Sequence, residues 1–412
     1  MRGYKRIQPW VIWSLSAAFF FCEYFARVDA GAVLDQLMKT LGASAYDLGT
    51  LGAYFYYPYI VMQIPVGLLV DRFGPRRWLS AAALVSALGA LLFAMANVLS
   101  VAKTGRFLIG LGAAFAFVST IKLATIWFDQ EKWGLLAGLT QGSGMLGAAF
   151  GAGGFVFLVR LLGWRYAMGA VALVLFFFAV MIYIFVRDKK SSLLSHVVNM
   201  DHTSLPIAQA LWLILRSRQS WANALYAGFL YAPTAALGEF WGVTFFHHVY
   251  AIPTVDAGLM MGAIFIGWAV GGPVVGWLSD KMKKRKTLMC VSAVSSLLVL
   301  LLVMYGPRLP EALLLCLMLL YGVSNTGVAL AYAVAGESHP KAVVGMSVAF
   351  TNMVSILIGA LMQPLIGLLL DHLWAGQVLH HVKIYPRYAY HDVLVILPCV
   401  LVISCLCLFF IK

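Results

Sequence analysis

The chain has 412 residues, 62% of them hydrophobic and 11% charged, with a mean hydropathy of +0.89. Water-soluble domains carry about 25% charged residues, so this composition excludes a soluble enzyme or binding module. The formal charge of +13 invites a nucleic-acid partner, but its placement along the chain points to a membrane surface instead.

A spanning helix needs roughly 20 apolar residues to cross a hydrocarbon core of about 30 Å. Twelve stretches qualify, near 9–31, 46–70, 78–97, 101–127, 133–158, 166–186, 222–248, 257–279, 287–305, 312–335, 344–370 and 392–411. Threaded through a bilayer with both termini cytoplasmic, they leave 19 of the 29 Lys and Arg on the inner side, the bias of the positive-inside rule. Those cations face anionic headgroups, and no nucleic-acid partner is expected. Trp10 opens a full span with no small-residue cleavage site, so no cleavable signal is expected. All six cysteines (Cys22, Cys290, Cys316, Cys399, Cys405, Cys407) fall inside predicted spans, which argues against a disulfide framework.

Ionisable groups inside a membrane face a cavity or each other. Span 1 carries Glu23, Arg27 and Asp29. Glu23 and Arg27 are four residues apart, share a helix face and can pair. They form either a static salt bridge or a working couple, with Arg27 binding an anionic group and Glu23 taking up a proton. Asp29 lies about 200° round from Arg27, as a rim charge with a weaker claim to proton coupling. Span 2 is rich in tyrosine, with Tyr54, Tyr56, Tyr57 and Tyr59 beside Pro58, Gln63 and Pro65. Phenols suit a wet cavity wall or a lipid belt, and Tyr54 and Tyr57 are the substrate-contact candidates.

Span 4 holds Arg106 near its outer end, where snorkelling is an equal reading, and Lys122 deeper in. No acidic residue lies three or four positions from Lys122. Unless Glu239 reaches across, one positive charge is left over, and a mobile anionic solute would supply its partner. Span 5 contains Gly138, Gly142, Gly144, Gly147, Gly151, Gly153 and Gly154, a face that lets another helix approach closely, and Gln141. A polar linker follows span 6, including His196, Asn199, Asp201, His202 and Pro206. Its segment 206–216 is patterned as an amphipathic surface helix.

Gly228, Pro233 and Gly238 interrupt span 7 just before Glu239 and Trp241. Such interruptions free backbone groups to line a cavity. His247 and His248 close the span as a rim or a pH-responsive gate. Asn325 in span 10 and Asn352 and Gln363 in span 11 are buried amides, either solute contacts or glue between helices. The outer loop 371–391 gathers His372, Trp374, His380, His381, Lys383, Tyr385, Pro386, Arg387, Tyr388, Tyr390 and His391. An interfacial aromatic loop explains these without metal, so no metal or cofactor is expected. No phosphate-cradling Gly-Lys-Ser/Thr loop is present.

One stretch is written twice. Gly67-Leu-Leu-Val-Asp71-Arg72-Phe-Gly74-Pro75-Arg76-Arg77 returns as Gly276-Trp-Leu-Ser-Asp280-Lys281-Met-Lys283-Lys284-Arg285-Lys286, at an offset of 209 residues. Asp47 and Asp256, Gly49 and Gly258, and Lys132 and Lys341 keep the same offset, the mark of an internal duplication. The repeated stretch resembles the loop 2–3 signature of the major facilitator superfamily, with its degenerate echo in loop 8–9, where Lys283 replaces Gly74. Arg106-Phe-Leu-Ile-Gly110-Leu-Gly112 is similar to that superfamily's span 4 signature. Tyr24-Phe-Ala-Arg27 resembles its organic-anion and phosphate-ester symporters. Span 5 lacks the Gly-Pro of its proton-driven drug exporters.

The resemblance implies an all-α integral membrane fold with 12 transmembrane helices in two pseudo-symmetric six-helix bundles. These are 1–187 and 221–412, joined by a cytoplasmic linker at 188–220. It implies gating by Asp71, Arg72, Arg76, Arg77, Asp280 and Arg106. The expected function is proton-coupled import of a small anionic or zwitterionic nutrient by a monomer in a bacterial inner membrane, not an enzymatic reaction. Arg27, Lys122, Tyr54, Tyr57, Gln141, Trp241, Asn325 and Asn352 would meet the solute, and Glu23, Glu239 and Asp29 would carry the proton. Export of an amphiphile and a non-transporting sensor or scaffold are the alternatives.

Overall fold

The computed structural model describes residues 2–188, 207–340, 343–379 and 382–411. His196, Asn199, Asp201, His202, Pro206, Lys341, His380 and His381 lie outside the described residues. Among those described, the helices form twelve rods, numbered here as the predicted spans. Rods 1–6 are Arg2–Val28, Ala45–Phe73, Pro75–Ala94, Leu99–Trp127, Trp133–Ala149 extended to Leu162, and Trp164–Phe185. Rods 7–12 are Arg218–Pro233 extended to Tyr250, Thr254–Met282, Arg285–Tyr305, Glu311–Asn325 extended by Gly327–Glu337, Val344–His372, and Arg387–Val393 extended to Phe410. Among the described residues ten are long and apolar enough to cross a bilayer, and rod 2 makes an eleventh. Rod 7 is not among them, because Arg218, Asn223, Glu239, His247 and His248 dilute its apolar content.

Local chemistry accounts for the breaks. Rod 2 begins with a capping box in which Ser44 and Asp47 satisfy each other's backbone N–H groups. It bends by 59° between Gln63 and Pro65, since proline removes a helical donor and crowds the preceding turn. Rod 7 widens into a π-helical segment, Thr234–Trp241, directly after Pro233. That is where the sequence predicts an interruption. Rod 1 tightens into a 3-10 turn, Asp29–Val33, before a short helix, Leu34–Leu41. The linker helix runs Ile207–Arg216. A two-stranded hairpin pairs Val378 with Lys383 and Leu379 with Val382.

Small residues set the distances between rods. Gly144, Gly147 and Gly151 of rod 5 lie against Phe20, Phe21 and Phe25 of rod 1, leaving no room for a Cβ. The same device joins the two halves. Gly49 of rod 2 abuts the backbone of Gln363 and Pro364 in rod 11, and its repeat partner Gly258 in rod 8 abuts Ala152 of rod 5. The duplicated glycines thus sit at two equivalent seams. Close approaches between the halves, including Gly31 on Glu239 and Gly367 on Ala45, gather at the end away from the chain termini. On the same rods toward the other end, Gly67, Gly138, Gly142, Gly276 and Gly345 meet open space. The halves are sealed at one end and parted at the other.

Candidate functional site

The seam holds a buried ion pair. Arg27 of rod 1 and Glu239 of rod 7 form an ion pair across the halves at 3.2 Å, with both side chains about 5% exposed or less. Glu239 also accepts from the Tyr56 hydroxyl of rod 2 and from the Tyr231 hydroxyl of rod 7 at 2.5 Å. Arg27 donates to the Tyr56 hydroxyl at 3.4 Å and to the Tyr231 hydroxyl. The rings of Tyr24, Tyr56, Tyr59 and Tyr231 lie 5.0–6.0 Å from the guanidinium carbon, within cation–π range. The π-helical turn makes this possible, because it carries Glu239 and faces Tyr231 eight residues earlier in the same rod.

The expected Glu23–Arg27 pair does not form. Arg27 turns to the other half for its carboxylate. Glu23 stays inside its own half, where the Ser86 hydroxyl of rod 3 donates to it at 2.5 Å. Its second oxygen is buried with no hydrogen-bond partner among the described residues. Asp29 is fully buried rather than a rim charge, and Arg106 does not snorkel. They pair at 3.1 Å, and Arg106 also donates to the carbonyls of Ala26 and Arg27 at 2.6 and 2.9 Å. The 3-10 turn frees those carbonyls at the end of the rod 1 helix, so Arg106 anchors the last helical turn, which carries Arg27.

Lys122 is not left over. Asp71 meets it at 2.6 Å, 51 positions away in sequence but adjacent once rod 2 returns beside rod 4. The surplus cation expected in the bundle is therefore absent. Tyr54 and Tyr57 pair with each other, and Tyr54 lies beside Lys103 at 5.7 Å. Tyr56 and Tyr59, from the same stretch, are the ones that reach Arg27. Trp241 is buried with its indole donating to the Gln363 carbonyl, and Asn325 ties Leu230 and Thr234 to rod 10 within one half. Both are internal braces. Gln141 lies beside Tyr24. Asn352 bridges the halves, donating to Gln63 at 3.3 Å and accepting from Tyr332 at 3.0 Å.

The repeated loops hold to their own halves. Arg76 donates through its backbone to Asp188 and through its side chain to the Tyr183 carbonyl, and Arg72 stacks on Phe73. Arg77 is exposed. Asp280 pairs with Arg285, which also pairs with Glu337. Among the described residues no cluster of His, Cys, Asp or Glu suits a metal ion. The sequence singles out Arg27 and Glu239 separately. Tyr231 and Ser86 go unnoticed there, since one tyrosine and one serine in apolar runs carry no pattern.

Residues 14–364 match the family model described as Major Facilitator Superfamily. The chain is 27% identical over 296 residues to an uncharacterized transporter, YybO, of Bacillus subtilis (strain 168), covering 67% of this chain and 66% of that one. It is 29% identical to a probable sulfoacetate transporter of Cupriavidus necator over 37% of this chain and 36% of that one. It is 25% identical to a probable L-galactonate transporter of Escherichia coli (strain K12), over 64% and 59%. The aligned part thus spans less than two thirds of each relative's length. Among solved structures, a bacterial homologue of the human lysosomal transporter Spinster, inward-facing and unoccupied, superposes with a TM-score of 0.80 at 14% identity. It covers 98% of this chain and 96% of that one.

Proposed function

Since this chain belongs to the major facilitator superfamily, we propose that it imports a small organic anion together with a proton. It is a multi-pass membrane transporter of small solutes; the anion and the proton are the proposal. The observation that carries it is the buried Arg27–Glu239 pair, because it joins the two halves across the seam. In this reading a solute carboxylate or phosphate takes the place of the Glu239 carboxylate on Arg27, making the forked contact a guanidinium favours. Glu239 then takes up a proton, so its charge is not stranded in the low-dielectric seam. A singly charged anion and one proton enter as a neutral set, a doubly charged anion retains one net charge, and neither anion nor proton alone releases the tie between the halves. Glu23 and Asp29, held inside one half, are the secondary proton candidates.

The relatives' names support an anion. Sulfoacetate, L-galactonate, hexose phosphate and nitrate are the solutes assigned to them. The moving bodies are residues 1–187 and 221–412, joined by 188–220, in a monomer in a bacterial inner membrane. With the termini cytoplasmic, the parted end faces inward, and Asp71, Arg72, Arg76, Arg77 and Asp280 would meet the opposite half only when that end closes. The test is uptake by the purified protein in liposomes across a panel of carboxylates, sulfonates and sugar phosphates, with and without a pH gradient. Accumulation that needs the gradient and is lost in Glu239→Gln supports the reading. A neutral or cationic best solute overturns it.

A further inference from the structure

The sealed end carries a further tie between the halves, built from helix termini rather than from the Arg27–Glu239 pair. The first N–H groups of a helix have no partner inside it and must be met from elsewhere. Ser44 and Asp47 satisfy only part of that need in rod 2. The rest comes from the other half. The Tyr46 N–H donates to the Asp371 carboxylate at the end of rod 11, at 3.0 Å, and the Ala45 N–H donates to the Tyr385 hydroxyl at 2.9 Å. Tyr385 in turn donates to Asp371 at 2.6 Å, and Lys383 pairs with the same carboxylate at 2.9 Å.

We propose that Asp371 and Tyr385 are gate residues that hold the sealed end shut by capping rod 2 from the opposite half. Three features carry this beyond a chance contact. Tyr385 is 5% exposed although it lies in a connecting loop, and burial together with its bond to Asp371 pushes its phenol above the usual range. It therefore stays a neutral hydroxyl able to donate and accept at once. Lys383 rests over the Trp374 ring at 4.8 Å while reaching Asp371, so the loop orients the carboxylate before rod 2 arrives. Gly367 sits against the Ala45 backbone with no space for a Cβ, which brings the two rods close enough for a main-chain bond. The equivalent seam between rods 5 and 8, at Ala149, Ala152, Gly258 and Gly262, is made of small residues in backbone contact. The seal is thus polar on one side and apolar on the other.

Opening that end would return the Ala45 and Tyr46 N–H groups to water, while Asp371 keeps Lys383 and Tyr385. The cap therefore favours the sealed state specifically. A bond to a charged acceptor shifts an equilibrium by about tenfold or more. The experiment places nitroxide labels at Thr40→Cys and Arg308→Cys in the full chain with its native cysteines replaced, and reads the distance distribution in nanodiscs. Asp371→Asn and Tyr385→Phe should each raise the long-distance, open population about tenfold. They should also speed outward release relative to substrate affinity, which stays unchanged. Asp371→Glu should restore part of the sealed population, which a purely structural role would not predict. An unchanged distribution in folded Asp371→Asn and Tyr385→Phe protein overturns the proposal. If Asp371→Asn fails to fold, Tyr385→Phe decides it alone by the same reading.

Discussion

Arg27 and Arg106 are both buried guanidinium groups facing one carboxylate each, at 3.2 and 3.1 Å. Their surroundings separate them. Arg106 also donates through its terminal nitrogens to the carbonyls of Ala26 and Arg27, and its carboxylate, Asp29, lies on the same rod as those carbonyls. All of its bonds are inside one half, so they survive any motion of the halves. Arg27 is tied to Glu239 and Tyr231 across the seam and is ringed by phenols that can exchange partners. A pair within one body is a brace; a pair between two bodies is a contact that a ligand can replace.

The strongest way to break that distinction is Asp29→Ala. It strands Arg106 in the core and should cost about 3–5 kcal/mol of stability, the usual result of removing one member of a buried pair. Thermal unfolding in detergent reads it, and a loss of transport at wild-type stability would remove Arg106 from the brace class. Next is Arg27→Gln, for which we expect anion binding to weaken by roughly 2–3 kcal/mol, with Arg27→Lys also poor because an ammonium cannot make the forked contact. Wild-type affinity in both would leave the pair without a role in binding.

A double change sharpens the comparison further. Arg27→Gln with Glu239→Gln removes both charges, and its stability should exceed that of either single variant, since each single change strands a buried ion and the double change does not. Calorimetry of the three proteins gives the coupling directly. The smallest effect is expected at Asp71, which is 63% exposed in its pair with Lys122. Asp71→Asn should change stability by less than about 1 kcal/mol while slowing turnover more than binding. Equal loss of binding and turnover would remove Asp71 from the gate.

How much was legible in the sequence follows from the range over which each signal acts. The apolar runs and the offset of 209 residues are local or periodic, and they expose the rods, the two halves and the paired loops. The break in rod 7 is equally local, written by Pro233. Partner choice is different. Glu23 is four residues from Arg27, yet Arg27 meets Glu239, because the rotation of rod 1 aims it at the seam. Lys122 finds Asp71 for the same reason, through the return of rod 2 beside rod 4. Helical spacing reports which groups share a face, but not what that face meets. Tyr54 and Tyr57 against Tyr56 and Tyr59 is the same lesson within one stretch.

The turn at Lys283 has a further consequence. Its backbone is left-handed, with φ of 53°, where the first copy of the loop has Gly74 at 84°. A side chain there costs roughly 1 kcal/mol that glycine does not. The second loop keeps a positive φ at the matching position but turns differently, with ψ of 28° at Lys283 against 148° at Gly74. It is therefore a place where the protein can be hardened, since Lys283→Gly would relax the backbone without touching the seam or either buried pair. That single position offers added stability that leaves the contacts between the halves as they are.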